Sequence, residues 1–209
     1  MNPFFSVIIA TYNRAGFLTR ALNSLLAQTE SGWEAWIIDD GSTDQTEAII
    51  RDYIRDHPNI QYHKIPKSGE AAAKNMGISL STGKYITFLD SDDAYDPGHL
   101  AHRKTVLAES PGIQLLHGGM KIIGDPYVPD RNNPENLIHV SSCVAGATFV
   151  IRRDAFDVLH GFRDLPFGND ADLYERAVQS NLNILKTDNP TYIYFRNHDD
   201  SITRNAVKK

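Results

Sequence analysis

Three groups of aspartates hold the residue types from which cation binding and acid–base chemistry are built: Asp39-Asp40, Asp90 with Asp92-Asp93, and Asp170 with Asp172. Two carboxylates one residue apart, as in Asp90-Ser91-Asp92, offer hard oxygen ligands to Mg2+ or Mn2+, ions usually held by one or two carboxylates together with substrate phosphates. A carboxylate near a helix start, as at Asp170, can take a proton from a hydroxyl or cap the helix. An EF-hand reading of the Asp90 group fails, because its loop lacks the central glycine and its twelfth residue is Ala101, not glutamate.

The elements that must position these groups follow from hydrophobic spacing. Phe5 to Ala10 is a continuous β-prone run, and Phe17, Leu18, Ala21, Leu22, Leu25 and Leu26 then recur at helical spacing, which makes one β-α step. Trp33 to Ile38 predicts a second strand, with Trp33 and Trp36 as core or as surface distant from the sugar and not as a stacking platform. Asp44 with Glu47 predicts a capping pair that opens a helix through Tyr53-Ile54. Ile60 to Ile65 predicts a third strand, Ala71 to Leu80 a helix ended by Thr82-Gly83, and Tyr85 to Leu89 a buried fourth strand. Beyond residue 110 the pattern loosens. Gln114 to Met120 and Val144 to Ile151 read as strands, separated by a polar loop with Pro126, Pro129 and Pro134 that is a candidate lid or acceptor contact. Asp170 to Ser180 reads as a helix and Tyr192 to Phe195 as a last strand.

This alternation predicts an α/β fold, a single domain over residues 1–209 with a mostly parallel central sheet. In such sheets ligands bind outside the carboxyl ends of the strands. Thr11-Tyr12-Asn13-Arg14, Asp39-Asp40-Gly41-Ser42 and Asp90-Ser91-Asp92-Asp93 all fall at such ends, so they should share one crevice.

Composition narrows the partners. The charge of 21 basic against 26 acidic residues gives −5, with no basic stripe, which argues against nucleic acid. Cys143 is the single cysteine, so no intrachain disulfide or cysteine-rich zinc site can form, and a reducing cytoplasm fits. The apolar run from Phe4 to Ala10 is too short to span a bilayer. The chain reads as soluble and cytoplasmic, compatible with an acceptor at the inner face of a membrane and with a homo-oligomer.

Ser6 to Arg14, Ile38 to Asp44, Ala72-Ala73-Lys74-Asn75-Met76-Gly77 and Phe88-Leu89-Asp90-Ser91-Asp92-Asp93 together resemble the family 2 glycosyltransferases with a GT-A (Rossmann-like) fold, four motifs in order across the first hundred residues. Gly161-Phe162 and Asn169 to Leu173 extend the resemblance over nearly the whole chain. The resemblance implies an inverting, metal-dependent transfer of a sugar from a nucleotide diphosphate donor to a saccharide, lipid-linked or protein acceptor, in polysaccharide, cell-wall or glycoconjugate synthesis. It implies a nucleotide-binding half through about residue 95 and an acceptor-binding half after it.

Residue by residue, the resemblance implies the following roles. Asp92 of the DxD motif binds Mn2+ or Mg2+, Asp90 faces the ribose or a metal-bound water, and Ser91 lies between them in the donor site. Asp40 accepts from N3–H of uracil or thymine, with Thr11, Tyr12 and Asn13 closing on base and ribose; Asp39 and Asp40 also read as turn residues ahead of Gly41. Lys74 pairs with the pyrophosphate, and the helix start after Lys67 and Gly69 could attract anions. In the tail, Arg196 or His198 approaches the diphosphate, with His198 a candidate metal ligand. Asp170 stands where the family carries its general base, but Asn169 precedes it where the family has Glu, so Asp172 stays open as an alternative. Two other readings compete. One is a nucleotide-sugar binding module or a partial catalytic domain, since the chain is short for the family. The other is a haloacid-dehalogenase-like phosphatase, whose Asp-x-Asp normally sits on the first strand.

Overall fold

The computed structural model describes residues 2–130, 133, 135–166 and 168–197, so His198 lies outside the described residues. In the first half, β1 (Phe5–Thr11), β2 (Trp33–Asp39), β3 (Ile60–Lys64) and β4 (Tyr85–Phe88) alternate with α1 (Ala15–Leu26), α2 (Thr46–Asp56) and α3 (Glu70–Leu80). The four strands are parallel and ordered β3-β2-β1-β4. β1 is buried at every position but Ala10, as expected for a parallel strand covered on both faces. α1 turns Leu18, Ala21, Leu22 and Leu25 inward at the spacing of one helical face. α3 lies close on the sheet because its contact residue is Gly77, where a Cβ would come within 2.5 Å of Ile8.

The second half departs from this regularity. It runs β5 (Ala94–Tyr95), α4 (His99–Glu109), β6 (Leu115–Gly124), β7 (Tyr127–Pro129), β8 (Leu137–His139), β9 (Val150–Arg152), α5 (Phe156–Leu159), α6 (Asn169–Gln179) and β10 (Ile184–Arg196). β9 is antiparallel between β4 and β6, while β10 runs parallel to β6 with its register broken between Thr187 and Tyr192. The full sheet order is β3-β2-β1-β4-β9-β6-β10-β5, a largely parallel sheet in an α/β fold. Apolar side chains fill both faces. Val7, Ile9, Leu22 and Leu25 anchor one cluster, and Ile8, Ile86, Phe88 and Phe149 anchor the other.

Several expectations are corrected. Val144 to Ile151 is not one strand: Gly146–Thr148 forms a 3-10 turn and only Val150–Arg152 pairs. Asp44 accepts from Thr46 N at 3.0 Å and Ala15 N at 3.2 Å, but Glu47 turns to Arg51 and Lys64 instead of closing a capping box. The polar loop contains the β7–β8 hairpin. β5 and α4 have no counterpart in the sequence reading. α4 buries His99 and Arg103 beside Leu100 and Leu107, so its inner face does not look apolar.

Candidate functional site

The carboxyl ends of β1, β2 and β4 open onto a cavity of about 810 Å3. Thr11, Tyr12, Asp40, Asp90, Ser91 and Asp92 line one side; Val128, Ile138, Val140, Val144, Asp170 and Tyr174 line the other. The three aspartate groups of the sequence therefore meet at one place, through Asp40, Asp90 with Asp92, and Asp170.

At the end of β2, Asp39 is fully buried and accepts from Ser42 N at 2.7 Å and Tyr62 Oη at 2.8 Å. It holds the turn and does not line the cavity. Asp40 Oδ1 accepts from Ser68 N at 2.6 Å; its Oδ2 accepts from Lys67 Nζ at 2.7 Å and Gly69 N at 3.0 Å. The helix start that was expected to attract an anion thus already holds one, the carboxylate of Asp40. A carboxylate oxygen accepts twice, so Oδ1 keeps room for another donor. Lys67 Nζ also sits 3.4 Å from the centroid of the Tyr12 ring. Thr11 Oγ1 is buried with no partner among the described residues. Asn13 does not line the cavity. Its left-handed backbone (φ 51°) aims its N–H at Ser42 Oγ (2.9 Å) and its Oδ1 at Thr43 N (2.8 Å), stitching the ends of β1 and β2 together.

The loop after β4 is fixed from behind. Asp90 N donates to Tyr192 Oη at 3.2 Å, Tyr192 donates to Asp93 Oδ2 at 2.7 Å, and Phe195 N donates to Asp93 Oδ1 at 2.8 Å. Arg20 donates to the Asp92 carbonyl and stacks 3.7 Å from the centroid of Phe195. Burial, reinforced by Asp90 and Asp92, holds the Asp93 carboxyl well above the ordinary range. Asp90 faces the cavity, and burial pushes it to about 7, opposed by Lys74 and reinforced by Glu70, Asp92 and Asp170.

Lys74 is buried and paired within its own helix. It is 4% exposed and is not among the cavity-lining residues; its Nζ lies 2.6 Å from Glu70 Oε1 and 3.9 Å from Asp90 Oδ1. Glu70, which the sequence reading passed over, is the residue on the wall. Arg196 is likewise buried, donating to the Tyr127 carbonyl at 2.6 Å.

On the far side, Asp170 stands in the first turn of α6 and its Oδ2 accepts from Gly146 N at 2.8 Å. A Cβ at residue 146 would meet both carboxylate oxygens, so a larger residue there would require the Asp170 carboxylate to move. Burial raises the Asp170 carboxyl, opposed by Lys74 and by the Gly146 N–H, and reinforced by Glu70. Asp172 instead accepts from Arg176 Nε at 2.8 Å and Arg163 Nη1 at 3.3 Å, and does not line the cavity. Asn169 lines the cavity with its Oδ1 buried and unpartnered among the described residues.

Among the described residues no three His, Cys, Asp or Glu are grouped to hold a metal ion. Mg2+ and Mn2+ bound by one or two carboxylates together with a diphosphate need no such cage, so the paired Asp90 and Asp92 on the cavity wall fit that mode. The gathered groups can accept a proton at one wall and balance charge at the other.

Comparison with known proteins gives a consistent result. The model of glycosyl transferase family 2 matches residues 6–159. An uncharacterized glycosyltransferase of Rickettsia felis is 46% identical over 193 residues, 85% of this chain and 32% of its own. Protein CgeD of Bacillus subtilis is 28% identical over 168 residues, 77% of this chain and 37% of its own. The chain therefore spans about a third of these relatives. Among solved structures, S. aureus TarS in complex with UDP-GlcNAc superposes with TM-score 0.79 at 24% identity, over 97% of this chain and 60% of that one. The mannosyltransferase PcManGT of Pyrobaculum calidifontis, in complex with GDP-Man and Mn2+, gives 0.69 at 20% identity, over 94% and 57%.

Proposed function

Because the chain belongs to glycosyl transferase family 2, we propose that its cavity transfers a sugar from a nucleotide diphosphate donor, UDP- or dTDP-linked, to an acceptor hydroxyl with inversion at the anomeric carbon. The observation that carries this reading is the meeting of Asp40, Asp90 with Asp92, and Asp170 on one cavity. Asp40 Oδ1 accepts N3–H of the base, which a cytosine or adenine edge does not offer, while Thr11 Oγ1 and Tyr12 close on base and ribose. Asp92, with Asp90 and Ser91 beside it, would hold Mn2+ or Mg2+, and His198 is a further ligand on this reading. A bound cation of this kind neutralises charge that builds on the diphosphate as it leaves. Asp170 takes the acceptor's proton; the freed oxygen bonds to the anomeric carbon from the face opposite the departing diphosphate, whose oxygen keeps the bonding electrons. The Gly146 N–H fixes the carboxylate for that approach. One base suffices for a single displacement, and no carboxylate nucleophile is required.

The test is thermal stabilisation across a panel of nucleotide sugars with Mn2+, since a ligand that binds only the folded state raises its stability, followed by transfer or donor hydrolysis with and without EDTA. UDP- or dTDP-sugars should stabilise, and turnover should stop in chelator and return with metal. Full turnover in EDTA would remove the metal from the reading. Because the chain spans about a third of its relatives, the second reading is a donor-binding module of a longer assembly, and it predicts stabilisation by UDP with no turnover.

A further inference from the structure

The far wall of the cavity divides into two kinds of surface that meet at Asp170. On one side the chain runs from the β7–β8 hairpin through Val140, Val144 and Ala145, all on the cavity, to Gly146, whose N–H is bonded to Asp170 Oδ2 at 2.8 Å. Val128 and Ile138 stand opposite each other in the hairpin and both line the cavity. Among the described residues between 128 and 147 that line the cavity, Asp130 alone is charged. The other side is α6 and the segment before it. There Asp164, Asn169, Asp170 and Glu175 line the cavity together with Tyr174, which stands one turn from Asp170 on the same helical face. Asn169 Oδ1 has no partner among the described residues, and the Tyr174 ring is met edge-on by His117 with centroids 5.1 Å apart.

A hydroxyl delivered to Asp170 therefore has hydrogen-bonding groups on one flank and a hydrocarbon surface on the other. Sugar hydroxyls laid against Val128, Ile138 and Val140 would lose water without gaining partners, which is unfavourable, whereas a hydrocarbon gains by leaving water there. The size of the cavity adds a second constraint. Pockets of roughly 300–1,000 Å3 hold one small ligand, so a cavity of about 810 Å3 leaves room beside a nucleotide sugar for only the reacting end of an acceptor, and the rest must pass over the rim. At that rim the apolar surface continues on the same hairpin, where Tyr127 is 49% and Leu137 62% exposed. The hairpin is anchored, since the Tyr127 carbonyl accepts from Arg196 Nη1 at 2.6 Å at the end of β10. We propose that the acceptor is a saccharide joined to a hydrocarbon chain, its sugar held by α6 and its chain laid along the β7–β8 hairpin; this rests on the reading of the cavity as the site of sugar transfer.

The experiment is titration calorimetry on the full chain with UDP and Mg2+ present, using methyl, butyl, hexyl and octyl glycosides of glucose, galactose, mannose and N-acetylglucosamine below their micelle concentrations. For at least one sugar, Kd should fall by about fourfold for each methylene that reaches the hairpin. Ile138→Gln should flatten that dependence and leave the methyl glycoside unchanged; if it does not fold, Val144→Gln, on the same strip, takes its place. Methyl and octyl glycosides binding equally for every sugar, or no saturable binding by any of them, overturns the proposal. So does a chain-length dependence that survives the substitution, which would put the chain elsewhere, or octan-1-ol binding as tightly as the octyl glycosides, which would leave the sugar unrecognised. The donor separates the two layers of inference. A chain that UDP does not stabilise overturns the reading of the cavity as a transfer site, whereas UDP binding with no gain from the chain overturns only the acceptor assigned here.

Discussion

Asp39 and Asp40 at the end of β2 differ sharply from Asp90 and Asp170 on the same side of the sheet. The first pair is held by donors from the surrounding loops: Asp39 by Ser42 and Tyr62, Asp40 by Lys67, Ser68 and Gly69. The second pair has few partners, Asp90 lying 3.9 Å from the Lys74 ammonium and Asp170 accepting from Gly146 N, and both members are pushed upward by burial. Carboxylates held by several donors fix the loops around them, and Asp40 does so while one oxygen keeps room for a further donor. Those kept short of partners remain available to a substrate proton or a cation, which is the condition for chemistry.

The widest gap between the two pairs should open at Asp170. Asp170→Asn should lower transfer by about 10²–10⁴-fold and leave UDP affinity unchanged in titration calorimetry. In the unmutated chain the rate should fall as pH drops through the Asp170 pKa, since the base must be unprotonated; burial places that acid limb above the ordinary carboxylate value of about 4. If Asp172→Asn is crippled instead while Asp170→Asn transfers normally, the base lies two residues on and the contrast drawn here is misplaced.

Gly146→Ala sharpens the same point without touching a charge. The added methyl would overlap the Asp170 carboxylate and force it to shift, and a misplacement of about 1 Å costs about 10²-fold in rate. Normal transfer by this variant, with its fold intact by circular dichroism, would show that the placement of Asp170 is not critical.

Effects on the first pair should be smaller. Asp40→Ala should weaken UDP by about 1–3 kcal/mol and erode its preference over CDP, the cost of unpaired polar groups; an unchanged preference by calorimetry would leave Asp40 as a loop anchor only. Tyr62→Phe removes one donor to Asp39 at a site off the cavity. It should cost about 1 kcal/mol in urea denaturation with transfer unaltered, and a loss of activity would break the distinction between holding and reacting.

The first four strands, their helices and the shared crevice of the clusters at Thr11, Asp40 and Asp90 were legible because parallel strands buried on both faces leave continuous apolar runs, and ligand groups collect at their ends. The second half was less legible. α4 turns His99 and Arg103 inward, which hides its period, and β9 pairs over only three residues. Lys74 could not be placed from spacing, since a lysine on a helix looks solvated until the rings of Phe88 and Phe162 close around it. Asp172 looked interchangeable with Asp170 until Arg163 and Arg176 engaged it. Tyr192 and Gly146 had no local signal at all, because each acts on a residue far along the chain.

The bond from Phe195 N to Asp93 spans 102 positions of sequence, and it sets an order of events during synthesis. Residues 5–95 could collapse as a nascent chain, yet the loop after β4 receives its rear supports, Tyr192 and Phe195, only when β10 emerges and pairs with β6 and β5. Closing so distant a contact is entropically costly and slow. The loop that carries Asp90 and Asp92 is therefore among the last parts of this fold to set, and removing residues 184–197 would keep the aspartates but lose the scaffold behind that loop.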